Sequence, residues 1–457
     1  MIEEEKIKRA KEKNRKIFPI YKMFAWDLLF YYTISFLFLS QVKGLSASDI
    51  FLGDAFYAIF KIIFQPFAPV VINFLGKRKS TILGNILVST SIILVILLEG
   101  SVKNLIISNL FMAIGFIIKN ICEACILREN LEDEENKNSI FSKIDSKGSV
   151  YYYIFDAISS ATTGFLFVVN AYIPMYLCFA FLIIAILISF KFEDYELKKK
   201  KTKREPPIEI LTRKISLAKK EYKFILKSKR LHALLLFMCL FNGILYIRST
   251  ISSSIFVDIG IPNEYFGIIG ALLAISSTIA TSKQNFIHKK LRNKVLTFFS
   301  IGYCIAYIMI GIMAILKINY ILTVMIVLLM MILQKAIKGP YNTLIKRYLN
   351  SFSNQNISVK IYSSANLMED LGAMITSFMV SILLKNIAIS YASLIVGIVS
   401  LILFIILLDY MKIRLGLKPE EYRKQDIEFN PKENKKVNVV QIDVGLDERG
   451  KTNVRIY

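Results

Sequence analysis

Long apolar runs separated by short polar breaks dominate the chain. Twelve runs stand out, at about 22–42, 49–74, 80–98, 104–127, 145–169, 172–191, 231–257, 263–287, 294–315, 318–345, 357–384 and 388–411. A run of about 20 apolar residues crosses a bilayer core of roughly 30 Å. In lipid the backbone must satisfy its own hydrogen bonds, so each run is expected to be a helix. Polar residues recur inside most runs at helical spacing. The first run aligns Asp27, Tyr31 and Ser35, and the second Asp54, Tyr57, Lys61 and Gln65. The fourth carries Ser108, Gly115, Lys119 and Glu123, and the fifth Tyr152, Asp156, Ser159 and Thr163. The seventh has Asn242, Tyr246, Ser249 and Ser253, with Arg248 beside them; the eighth has Ser277, Thr281, Gln284 and His288. The tenth has Gln334, Lys335, Lys338 and Gly339-Pro340, and the eleventh Asn366, Glu369 and Asp370. The third, sixth, ninth and twelfth have no interior charge.

A charge at mid-bilayer is costly, so it is expected to face a cavity or a partner. Every third run then lies at the periphery, and the other eight surround a shared polar interior. That is a four-fold repeat of three-helix units, two per half. Repeats of this kind belong to alternating-access transporters, with the binding site near the midplane between the halves.

The chain carries 58 Lys and Arg against 35 Asp and Glu, a net charge of +23. Such a balance would also suit a nucleic-acid partner, but its distribution argues against one. Twelve helices leave Lys43, Lys103, Lys317 and Lys385 in the loops of one side and Lys61, Lys119, Arg248, Lys335 and Lys338 within helices. The remaining basic residues fall on the other side, which the positive-inside bias makes cytoplasmic, together with both termini. Attraction to acidic lipid headgroups accounts for the basicity, and no nucleic-acid binding is expected. The expected organisation is a cytoplasmic arm at 1–19, a six-helix bundle at 20–191, a basic linker at 192–230, a second bundle at 231–411 and a cytoplasmic tail at 412–457. The linker holds Pro206-Pro207 and an amphipathic stretch, Ile208 to Arg230, suited to the inner leaflet. Val437–Val444 and Asn453–Tyr457 of the tail are patterned to pair as a hairpin. Residues 1–18 and the long first run do not read as a cleavable signal peptide. All five cysteines, Cys122, Cys125, Cys178, Cys239 and Cys304, fall inside runs, so no disulfide framework is implied and Cys122-Glu-Ala-Cys125 reads as helix packing.

A short basic turn joins the second and third runs: Pro69-Val-Val-Ile-Asn73-Phe-Leu-Gly76-Lys77-Arg78-Lys79-Ser80. A degenerate copy appears at His288-Lys-Lys-Leu-Arg292-Asn-Lys294. Twelve helices, cytoplasmic termini, a long basic central loop and this turn resemble the major facilitator superfamily over about residues 20–411. The family's signature there is Gly-x-x-x-Asp-x-x-Gly-Arg/Lys-Arg/Lys. Gly76, Lys77 and Arg78 match it, while Pro69 stands for the first Gly and Asn73 for the Asp. The resemblance implies an all-α integral membrane fold of two six-helix bundles that rock about a central site. It also implies that the turn latches the cytoplasmic ends of the halves, here with an amide in place of the carboxylate. The fifth-helix signature of drug–proton antiporters is missing, and Ala157-Ile-Ser-Ser-Ala161-Thr-Thr-Gly164 stands in its place.

Among single residues, Asp27 reads either as a proton or cation carboxylate or as the partner of an interior lysine. Asp54 and Lys61 share a helix face two turns apart, and Lys119 and Glu123, one turn apart, suit an intrahelical ion pair. Asp156 has no opposite charge in its own helix, which makes it the candidate for ion coupling. Arg248 and Lys338 are placed to hold an anionic group or to neutralise Asp156 and Asp27; Lys338 also suits snorkelling to the headgroups. Asn242 and Gln334 join this pathway. Asp370 is expected to face the cavity and Glu369 to reach Lys335 or Lys338. His232 and His288 read as interfacial anchors. No phosphate-binding loop, nucleophile elbow or zinc spacing appears, so no metal or cofactor is expected and uphill transport would need an ion gradient. The expected function is secondary active transport of a small solute by alternating access, coupled to a proton or another ion and directed towards export. A monomer in a bacterial plasma membrane is expected, since Ile, Lys and Asn are abundant. The alternatives are a lipid-linked glycan or lipid flippase, a non-transporting membrane receptor, or a membrane-embedded transferase.

Overall fold

The computed structural model describes residues 2–131, 137–193, 229–291, 294–351, 358–415, 442–446 and 452–456. Helix forms in each of the twelve apolar runs, but the first does not hold a single helix. α1 (Ile2–Ala25) stops early, residues 26–34 turn irregularly, and a short α2 (Ser35–Leu37) leads into a π-helical turn, Phe38–Val42. The second run holds α3 (Ala47–Phe64) and α4 (Ala68–Leu75), bent by 59°. Pro66 sits at the bend, where its missing N–H and its ring prevent α3 from continuing. A capping box starts α3: the Asp49 amide donates to the Ser46 hydroxyl at 3.2 Å and the Ser46 amide to Asp49 Oδ2 at 3.1 Å. The chain continues as α5 (Lys77–Leu97), α6 (Val102–Glu129), α7 (Lys137–Val169) and α8 (Ile173–Ser189). After the linker come α9 (Lys229–Asp258), α10 (Tyr265–Ser282), α11 (Gln284–Leu291) and α12 (Val295–Leu316), then α13 (Tyr320–Ser351), α14 (Ser358–Leu384) and α15 (Ile389–Leu415).

Nine of the described helices are long and apolar enough to cross a membrane, and the bent pair α3–α4 makes a tenth span. Hydropathy of this extent identifies a multi-pass membrane protein. The basic turn is shorter than expected. Gly76 alone joins α4 to α5, with φ of 83°, and Lys77, Arg78 and Lys79 form the first turn of α5. Three cations at a helix N-terminus oppose the helix dipole, so sidedness rather than helix stability accounts for their position.

The helices fall into two packing groups. In the first, α5 packs on α6 and α8, α3 on α6, and α1 on α7 and α8. In the second, α12 packs on α15 and α13, α9 on α14 and α15, and α10 on α13. Small residues let backbones meet within a group: a Cβ on Gly115 would stand 2.8 Å from the Gly84 carbonyl. Two main crossings, α3 on α14 and α7 on α10, join the groups. In the tail, β1 (Ile442–Leu446) pairs antiparallel with β2 (Thr452–Ile456), Ile442 opposite Ile456. Most of the basic linker, with the expected amphipathic helix, lies outside the described residues, as do 416–441 and the centre of the second basic turn at 292–293.

Candidate functional site

The break in the first run has a local cause and a distant support. The Asp27 side chain accepts from the Leu28 amide at 3.0 Å, a local bond that competes with helix continuation. Phe30 takes φ of 66°, which costs a non-glycine residue roughly 1 kcal/mol or more. The carbonyls left at the end of α1 receive Lys119, which is fully buried. Its ammonium donates to the carbonyls of Ala25 and Trp26 and lies 4.4 Å from the centre of the Phe116 ring. A cation is favourable at a helix C-terminus, where carbonyls lack helical partners. Glu123 instead accepts from the Tyr21 hydroxyl at 3.0 Å, and that hydroxyl accepts from the Asn85 amide at 3.0 Å. The expected Lys119–Glu123 pair therefore does not close; both residues turn to α1, though each still feels the other's charge.

Beside this break a cavity of about 160 Å³ opens between the two groups. The broken run contributes Tyr31, Tyr32, Ser35 and Phe36, and α3 contributes Asp54 and Tyr57. Asn109 and Met112 come from α6, while Tyr246, Ser249, Thr250 and Ser253 come from α9 of the second group. Asp54 Oδ2 accepts from the Thr250 hydroxyl at 3.1 Å, and the Tyr246 hydroxyl donates to the Asp54 carbonyl at 3.3 Å. The Asn109 amide donates to the Gly53 carbonyl at 2.9 Å.

On one side of the cavity, away from the basic turn, the groups are locked together. Ser48 and Ser381 donate to each other's carbonyls at 2.7 and 2.8 Å. Gln41 and Asn263 pair through both amide bonds, at 2.9 and 3.3 Å. The α7–α10 crossing brings backbone against backbone: a Cβ on Gly267 would stand 2.1 Å from the Ser160 carbonyl. On the other side of Asp54, towards the basic turn, Lys61 forms an ion pair with Asp370, which is 8% exposed. Lys61 thus crosses to the second group instead of serving Asp54 on its own helix.

Asp27 and Asp156, from the first group, and Arg248, Lys335 and Lys338, from the second, remain apart. Asp27 lies within electrostatic reach of Lys338, and Asp156 of both Asp27 and Lys335. No ion pair closes between them among the described residues. Arg248 is buried with Nη1 unpartnered, and Gln334 is fully buried with both amide atoms unpartnered. Asn242 donates to the Met238 carbonyl at 3.0 Å and to the Tyr341 hydroxyl at 3.1 Å. Glu369 lies beside Asn242 and feels the charges of Lys61 and Lys346, rather than those of Lys335 or Lys338. Among the described residues no three His, Cys, Asp or Glu side chains gather as a metal site.

In the basic turn, Pro69 sits in the first turn of α4, and Asn73 is exposed, its side chain making no hydrogen bond to a described residue. Arg78 Nη2 donates to the Phe190 carbonyl at the end of α8, at 2.6 Å.

Of the charged and amide residues assigned to the pathway, Asp54 alone lines the cavity; Tyr31, Ser35, Tyr57, Tyr246, Ser249 and Ser253, which helical spacing put on the polar faces, line it as well. Tyr32, Asn109, Met112 and Thr250 escaped the sequence reading. Thr250 follows Tyr246 by four positions, so the helical period already placed it on the polar face of α9. Asn109 was hidden by Ser108, whose hydroxyl instead donates to the Ser91 carbonyl at 3.0 Å within the first group.

Among curated proteins no sequence matches the chain. Solved structures share its fold. The nucleoside transporter NupG superposes with a TM-score of 0.68 at 12% identity, covering 88% of this chain and 99% of that one. A POT family transporter in complex with 5-aminolevulinic acid gives 0.59 at 14% identity, covering 89% and 95%. The family model of the Major Facilitator Superfamily matches residues 20–375. With most of its length inside that match, the chain belongs to the Major Facilitator Superfamily.

Proposed function

We propose that this protein is a secondary transporter that carries a small solute by alternating access, with two six-helix halves rocking about the cavity. The observation that carries the reading is a cavity walled by both helical groups and sealed on one side by paired contacts between them. Ser48–Ser381, Gln41–Asn263 and the α7–α10 crossing form that seal. On the positive-inside rule the sealed side is external and the termini are cytoplasmic; the abundance of Ile, Lys and Asn suits a bacterial plasma membrane. The conformation described is then closed to the outside.

Coupling to a proton is assigned to the carboxylates Asp156 and Asp27. Each lies in a membrane-spanning region without a closed ion pair, and protonation removes a charge that is costly to carry through an apolar seal. The experiment is reconstitution into proteoliposomes with an imposed pH gradient. The expected result is accumulation of at least one solute of a metabolite and drug panel, abolished when the gradient is collapsed. Absence of any gradient-dependent movement, alongside saturable ligand binding, would replace the transporter reading with that of a receptor.

A further inference from the structure

The cavity has one carboxylate, Asp54, and no basic side chain in its lining. The other interior carboxylates have a cation in reach. Asp370 pairs with Lys61, Asp27 lies near Lys119, Asp156 near Lys335, and Glu123 near Lys119. Asp54 has only the neutral Thr250 hydroxyl on Oδ2, and no described residue donates to Oδ1. Asp54 is half-buried on the cavity wall, and a carboxylate drawn away from bulk water favours a counter-charge or several donors. Here the structure supplies neither, so the missing charge is one that a ligand can bring.

The walls favour the same ligand. Tyr31, Tyr57 and Tyr246 stand close enough to Asp54 to feel its charge, and Tyr32 lines the cavity with them. Aromatic faces attract cations, and groups of such rings recognise ammonium compounds. A volume of about 160 Å³ is near the ~150 Å³ of a cavity that admits benzene. We propose that this cavity binds a small organic cation, a primary or quaternary ammonium compound, as the transported solute. Asp54 balances its charge, and Tyr31, Tyr57 and Tyr246 surround the ammonium group. Because Thr250 belongs to the second group, the ligand sits on the seam that rocking must open. This inference rests on reading the cavity as the transport site.

The test uses the purified full-length protein and calorimetric titration with choline and benzylamine. Their neutral isosteres, 3,3-dimethyl-1-butanol and benzyl alcohol, are titrated in parallel. At least one cation is expected to bind about tenfold or more tightly than its isostere. Asp54→Asn is expected to weaken that binding by about tenfold or more, and Tyr246→Leu by about threefold or more, while Tyr246→Phe keeps the ring and most of the affinity. If Asp54→Asn does not fold, the Leu and Phe variants at 246 carry the test. Equal affinity for cation and isostere, or no saturable binding of either cation, overturns the proposal. Gradient-driven transport of a neutral solute without cation binding would overturn this inference and leave the transporter reading intact. Cation binding without any gradient-driven movement would overturn the transporter reading and the cation's role as transported solute, leaving the cavity as a cation-binding site only.

Discussion

Lys119 shows how one residue shapes the site without lining it. Its ammonium holds the carbonyls that α1 leaves exposed at Ala25 and Trp26, so it stabilises the break from which Tyr31 and Tyr32 enter the cavity. Lys119→Met should leave those carbonyls unpaired in an apolar interior, at a cost of about 1–3 kcal/mol. It also leaves Glu123 without the lysine whose charge most offsets its own. Glu123→Gln should therefore destabilise less in the Lys119→Met background than alone, a coupling that a double-mutant cycle of thermal or denaturant unfolding can measure. Unchanged stability of Lys119→Met would mean that the break is held by something else. Asn73 is the contrasting residue, exposed on α4 with no side-chain hydrogen bond to a described residue. Asn73→Asp restores the family's carboxylate, and its effect on stability should stay within about 0.5 kcal/mol. Misfolding or failed insertion would show that this turn packs differently from the alignment with the family signature.

Among the elements, the α7–α10 crossing is the contact most open to a direct test. The Ser160 carbonyl leaves no room for a Cβ at position 267, and both neighbours are helix backbone. Gly267→Ala should therefore push the two helices apart. If the crossing belongs to one of two alternating states, the wedge shifts the population towards the other. A Ser249→Cys reporter in the cavity should then react at least threefold faster with an impermeant maleimide added from the external side. A lowered unfolding midpoint with unchanged labelling would make Gly267 a packing residue only. The positions of these helices were legible in the sequence, because a bilayer imposes a length and an apolarity that few other environments require. The break in the first run was not. Residues 26–34 are as apolar as their flanks apart from Asp27, and the lysine that supports the break lies 94 positions away. The partner of Lys61 was hidden for the same reason. Spacing within a helix reveals same-helix neighbours, whereas Asp370 is 309 positions distant. The cavity was half legible: the period of α3 and α9 aligned Asp54 with Tyr57 and Tyr246 with Ser249 and Ser253. Which face of α6 turned inward depended on packing against α5, and Ser108 took the wrong side.

At the scale of the whole molecule, the two groups carry opposite charges towards each other. Asp27 and Asp156 belong to the first, and Arg248, Lys335 and Lys338 to the second. Lys335 feels Arg248 and Lys338, two like charges, as well as Asp156. With the side of Ser48 and Gly267 closed, these opposite charges stay in reach but unpaired. A rocking motion that opens that side and closes the basic side should bring α7 towards α13 and let Asp156 meet Lys335. Ion pairs made in one state and broken in the other are a recurrent means of setting such an equilibrium. Protonation of Asp156 would cancel the pair and release that closed state, which links proton binding to the motion. Asp156→Asn mimics the protonated form permanently. It should abolish accumulation driven by a pH gradient in proteoliposomes while leaving counterflow of solute against solute, since exchange needs the motion but no proton. Lys335→Gln alone should also slow transport by leaving Asp156 unpaired in the closed state, and combining it with Asp156→Asn should recover counterflow towards the single Asp156→Asn level. Full gradient-driven accumulation by Asp156→Asn would remove Asp156 from the coupling step and leave Asp27 as the remaining carboxylate to test.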